Sequence, residues 1–179
     1  MRSPEGMTSL FKTQLYLVSP NSQNKGSGHQ GHLLFPDWLA RWTSLSTQLQ
    51  PYVANGTISG FHVGDELCWG GLPYANMSAM ATAIRSTAWP GAEERLEKAP
   101  LIIYGNEGAG VFVRDRSCYN KSIGYSHVPD AIDWISFDFY NPPGSYVKTE
   151  YEQYLYPKMA PHQKALLVPD ASTSLHIGM

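Results

Sequence analysis

Gly60-Phe61-His62-Val63-Gly64-Asp65-Glu66-Leu67-Cys68-Trp69 is a short apolar stretch that runs into two adjacent carboxylates, a sulfur and an aromatic ring. Unpaired carboxylates are costly to bury, so a strand through this stretch should end where Asp65 and Glu66 begin. In a parallel α/β sheet or barrel the carboxyl end of a strand is where ligands bind and catalytic residues sit. The question for the rest of the chain is whether other strands end the same way.

Upstream, Pro36 and Asp37 open a helix in which Trp38, Leu39, Trp42, Leu45, Leu49, Tyr52 and Val53 recur at helical spacing. Asn55-Gly56 stops it, since both tolerate positive φ. Ile58 to Val63 then form a buried strand. Downstream, Met77, Met80, Ile84 and Ala88 mark a second helix, ended by Trp89-Pro90-Gly91. Pro100-Leu101-Ile102-Ile103-Tyr104 is the next strand and opens into Gly105-Asn106-Glu107-Gly108. A third follows at 131–140, ending in the turn Asn141-Pro142-Pro143-Gly144. Val147, Tyr151, Tyr154, Leu155 and Met159 outline a helix over 148–160. A fourth strand, Lys164-Ala165-Leu166-Leu167-Val168, ends in Pro169-Asp170.

Strands alternating with helices imply right-handed crossovers and a parallel sheet, with the helices outside. The four strand ends carry Asp65/Glu66, Asn106/Glu107, Asp138/Asn141 and Asp170, and in a parallel sheet they share one edge. Strand alternation places His62, Gly64 and Glu66 on one face, and Val63 and Asp65 on the other. Gln14 to Val18 is read as one further strand. Residues 19–32, polar and Gly-rich, are read as a mobile loop in which His29 and His32 are solvated rather than metal-binding. The expected organisation is a mobile N-terminal segment, 1–32, before one α/β domain, 33–179.

Composition narrows the function. The 179 residues are 42% apolar and 16% charged, as in a globular domain, and the net charge of −2 without a basic patch argues against nucleic acid. No run of about 18 apolar residues occurs, and no apolar leader is evident. Sequons at Asn55, Asn76 and Asn120 would permit secretion of a longer form. Gly105-x-x-Gly108-x-Gly110 is not a dinucleotide fingerprint, and no Gly-x-Ser-x-Gly elbow is present, so no cofactor and no serine nucleophile are expected. Cys68 and Cys118 would both lie near the strand ends, as a disulfide between two loops or as buried thiols.

Glycoside hydrolysis requires a protonated acid at the leaving oxygen and a second carboxylate as nucleophile or base. Glu66 fits the acid, beside Asp65, Leu67 and Trp69. Glu107 and Asp138 are the further catalytic candidates. Asp65, Trp69, Tyr104, Asn106, Tyr140 and Asp170 are candidates for holding substrate, and the abundant aromatics, eleven Tyr and five Trp, suit both sugar stacking and core packing.

The strands ending in Gly64-Asp65-Glu66 and Asn106-Glu107, with Asp133-Trp134-Ile135-Ser136-Phe137-Asp138-Phe139-Tyr140, resemble consecutive strands of a (β/α)8-barrel glycoside hydrolase. In such families a Glu at the end of the fourth strand is commonly the acid/base, which the resemblance places on Glu66. The Asp-Glu pair after a His-containing strand is also similar to β-hexosaminidases, though the full motif there has one more glycine. The seventh-strand glutamate of retaining barrel enzymes is replaced here by Val168-Pro169-Asp170. A full barrel takes about 250 residues. The resemblance therefore implies a partial or truncated TIM barrel, covering 36–172, with carbohydrate as partner and an open sheet edge able to self-associate; the missing apolar run sets the expectation of no membrane partner. A non-catalytic carbohydrate-binding relative that lost its second carboxylate is the alternative.

Overall fold

The computed structural model describes residues 9–21, 31–68, 70–108, 111–112, 126–138 and 144–167. Its centre is a five-stranded sheet of β1 (Ser9–Lys12), β4 (Ile58–Asp65), β5 (Ile102–Gly108), β6 (Trp134–Asp138) and β7 (Lys164–Leu167). All four pairings are parallel, and the strands are neighbours in chain order. The protein is thus α/β with strands alternating with helices, as the alternating pattern requires. Every carboxyl end lies on one edge of the sheet.

Helix α2 (Trp38–Ala54) buries Trp42, Leu45, Leu49 and Val53 on the expected stripe, whereas Leu39 and Tyr52 face solvent. It stops at Asn55, and Gly56 takes the positive φ of 81°. Helix α3 (Tyr74–Arg85) buries Met77, Met80, Ala81 and Ile84. Trp89, just beyond it, stacks on Phe61 at 5.4 Å, and Trp42 meets the same ring edge-on at 5.5 Å. These aromatics join α2 and the α3 exit to one face of the sheet. The Met77 methyl packs on the same face at Gly105, where a Cβ would stand 3.2 Å from it.

Four details differ from the sequence reading. Gln14–Leu17 is a single helical turn, α1, not a strand, and the first sheet strand is Ser9–Lys12. Part of the expected loop at 19–32 is ordered, because β2 (Val18–Asn21) and β3 (Gly31–Leu34) pair as an antiparallel hairpin. A short helix α4 (Glu93–Lys98) precedes β5. The expected helix at 148–160 starts earlier, as α5 (Gly144–Thr149), and then loosens into a π-helical turn at Glu150–Leu155 and a 3-10 turn at Tyr156–Lys158. Strand β7 lies at the sheet edge opposite β1, and closure into a barrel is not seen among the described residues.

Candidate functional site at the strand ends

Glycine placement in β4 decides where the acidic pair goes. A Cβ at Gly60 would fall 2.3 Å from the Ile102 carbonyl oxygen, so this position lets the β4 and β5 backbones approach. At Gly64 the register slips: His62 is opposite Tyr104, but Gly64 is opposite Gly105 and Asp65 opposite Asn106. The extra residue is a β-bulge, a device that re-aims side chains at strand ends. It overturns the face assignment drawn from simple alternation. Asp65 shares a face with His62, not with Val63.

That face, turned away from α2 and α3, carries Lys12, His62, Asp65, Tyr104, Asn106, Trp134 and Ser136 in register. Their polar groups form a chain. Tyr104 Oη and Ser136 Oγ are hydrogen-bonded at 2.6 Å, Ser136 Oγ donates to Asn106 Oδ1, and Asn106 Nδ2 donates to Asp65 Oδ1 at 2.8 Å. The chain ends at Lys12, whose Nζ lies 3.7 Å from Asp65 Oδ2. Gln14 holds Asp65 from the backbone side: the Asp65 N–H donates to its Oε1 at 3.1 Å. His62 lies on Tyr104 with ring centroids 4.7 Å apart.

Glu66 follows at once, half-buried, with φ of 48°. A glutamate in the left-handed region is uncommon, and such backbone gathers at functional sites. Its N–H donates to the Asn106 carbonyl at 2.8 Å, and its carbonyl accepts from Gly70 at 2.7 Å, which closes a tight turn above β4 and β5. Glu107 is enclosed beneath this turn, fully buried, and both carboxylate oxygens lie 3.2 Å from the Cys68 N–H, which donates to them. Cys68 is disulfide-bonded, the first of the two readings of the cysteines.

Hairpin β2–β3 docks on the same turn. The His32 N–H donates to the Gly70 carbonyl, and the imidazole packs so closely on Gly70 that a Cβ there would meet Nδ1 at 2.1 Å. Burial pushes the imidazole below its ordinary 6.5, against the upward pull of the Leu67 and Glu66 carbonyls and the Asp65 carboxylate. The unfolded chain therefore binds the proton more readily than the folded one, and stability rises with pH. The His32 contribution is present above 6.5 and is lost as pH falls through that value towards the lower folded-state one. Thermal melts at pH 7.5 and 5 should show the drop, and His32→Asn should shrink it; an unchanged pH dependence in the variant refutes this role.

Of the sequence candidates, Asp65, Glu66, Tyr104, Asn106 and Glu107 come together around β4 and β5. Asp138 is the last residue of β6, opposite Gly108. Trp69, Tyr140 and Asp170 lie outside the described residues, as does Cys118. Lys12, Gln14 and His32 were not singled out as site residues. A signal was present: Lys12-Thr13-Gln14 is a polar run at a strand end like the other strand ends. Among the described residues no cluster of three His, Cys, Asp or Glu could hold a metal, and no helix is long and apolar enough to cross a membrane. No family model matches the chain, and neither curated proteins nor solved structures give a significant match to it.

Proposed function

We propose that the protein is a glycoside hydrolase-like protein that cleaves an O-glycosidic bond by paired carboxylates, on a partial (β/α)8 barrel. The observation that carries this reading is the bulge at Gly64. It sets Asp65 on the polar face, linked through Asn106 and Ser136 to Tyr104, with Glu66 next to it on left-handed backbone. The chain-order parallel strands supply the frame, since a barrel is built by strands laid down in this order. Glu66 donates a proton to the leaving oxygen. Asp65 is the second carboxylate, acting on water or on the anomeric carbon, while Asn106 holds its Oδ1 and Lys12 places a positive charge 3.7 Å from its Oδ2. Tyr104, packed on His62 with centroids 4.7 Å apart, puts aromatic surface on this face for a sugar ring.

The non-catalytic alternative has its own support. Glu107, the other glutamate at these strand ends, is buried against the Cys68 amide in the manner of a loop anchor. A carbohydrate-binding relative needs only the polar face and its rings.

Aryl glycosides of several sugars test the two readings. Glu66→Gln should lower kcat by about a hundredfold or more, the range lost with a general acid, while sugar binding persists. Turnover unaffected by Glu66→Gln removes the catalytic assignment. Sugar binding by a wild-type chain that never turns over an aryl glycoside leaves the binding relative.

A further inference from the structure

A cavity of about 350 Å³ opens beside the carboxyl ends of β1 and β4, between the polar face and hairpin β2–β3. Ligand pockets begin at roughly this size, which suits one small ring rather than an extended chain. Lys12, Gln14, His32 and Asp65 supply its polar wall, and Val18 and Phe35 its apolar one. The Arg41 guanidinium lies 4.0 Å over the Phe35 ring and steadies it.

The geometry points to this cavity as the subsite for one neutral pyranose unit, held by a hydroxyl bridged between Lys12 and Asp65. This inference rests on the carbohydrate reading above and names its substrate class. Lys12 Nζ and Asp65 Oδ2 stand 3.7 Å apart, beyond the roughly 2.7–3.2 Å of a direct hydrogen bond. A hydroxyl oxygen set between them accepts from the ammonium and donates to the carboxylate at once, which only a group with both capacities can do. Charge then selects the ligand. The wall holds one cation and one anion, and burial keeps His32 uncharged near neutrality. A phosphate or uronate would face the Asp65 carboxylate, and an amine would face Lys12. A neutral polyol meets neither penalty, and its C–H face has Val18 and Phe35 to pack on.

Amide NMR titration of the full chain tests this with a series of methyl pyranosides, the matching uronates and the matching amino sugars. A neutral pyranoside should bind and shift the amides of Lys12, Gln14 and His32, at least about tenfold more tightly than its charged counterparts. Lys12→Met should weaken the neutral ligand by about tenfold and turn the preference towards the amino sugar, because Asp65 is left unbalanced. Asp65→Asn should turn it towards the uronate. A disturbance of folding alone would weaken all three ligands alike, and that result overturns the proposal. So does a wild-type chain that binds no neutral pyranoside up to about 100 mM, or that prefers a charged one. Turnover of aryl glycosides is measured separately. Binding with these preferences but without turnover ends the hydrolase reading and keeps this one. Turnover whose KM and sugar preference are untouched by Lys12→Met does the reverse.

Discussion

Phe61→Ala is expected to remove about 3–5 kcal/mol of stability, out of the roughly 5–15 that a domain possesses. Phe61 is fully buried at the middle of β4, where Trp42, Trp89 and Phe11 surround it with ring centroids 5.4 to 6.4 Å away. The loss depends on whether these walls can close over the space left behind. Trp42 cannot move freely, because its indole N–H donates to Thr87 Oγ1 at 2.8 Å. Phe11 is fixed by its place in β1, opposite Phe61. A cavity that stays open costs more than one that collapses. Phe61→Leu fills most of the volume and should cost only about 1 kcal/mol. Urea denaturation measures both, and a Phe61→Ala loss below about 1 kcal/mol with an unchanged slope would show that this aromatic cluster does not hold the sheet.

Long periodic elements were the legible part of the sequence. Helix α2 announced its buried stripe and its Asn55-Gly56 end, because many residues vote for the same period. The strands at 58–65, 102–108, 134–138 and 164–167 were visible as apolar runs stopped by polar groups. Short elements were not. Gln14-Leu15-Tyr16-Leu17 is too brief for period to separate helix from strand; its turn is closed by the Tyr16 and Leu17 N–H groups donating to the Thr13 carbonyl. β1 is four residues long, mostly exposed, and gains its place from β4 rather than from its own sequence.

The site was legible in its residues but not in its facing. A glycine within a strand marks a bulge or a close backbone approach, and β4 has both, at Gly64 and Gly60 respectively. Nothing local says which glycine does which. Yet the choice sends Asp65 to the polar face, where Lys12 and Asn106 meet it. Distance along the chain explains the other omission. Lys12 and His32 reach Asp65 and Gly70 through the β1–β4 pairing and the docked hairpin, contacts that no motif near Asp65 contains.

Glu107 is where the sequence reading and the geometry are best set against each other. Read as a catalytic carboxylate, it needs its charge and access to substrate; in the structure it is fully buried, with the Cys68 N–H donating to both oxygens. Glu107→Ala should cost about 3–5 kcal/mol, combining the loss of its buried hydrogen bond from Cys68 with the cavity left behind. Glu107→Gln keeps an acceptor for Cys68 at nearly the same volume and should cost about 1 kcal/mol. On the hydrolase reading proposed above, activity then decides the role. An anchor of the 66–70 turn lets Glu107→Gln retain turnover within about tenfold, because the turn that carries Glu66 stays in place. A nucleophile or base loses its chemistry with the charge, and Glu107→Gln would fall by about a hundredfold or more while remaining folded. A stable but inactive Glu107→Gln therefore returns this residue to the reaction and displaces Asp65 from the second role. A stable and active one leaves Asp65, turned to the polar face by the bulge, as the partner of Glu66.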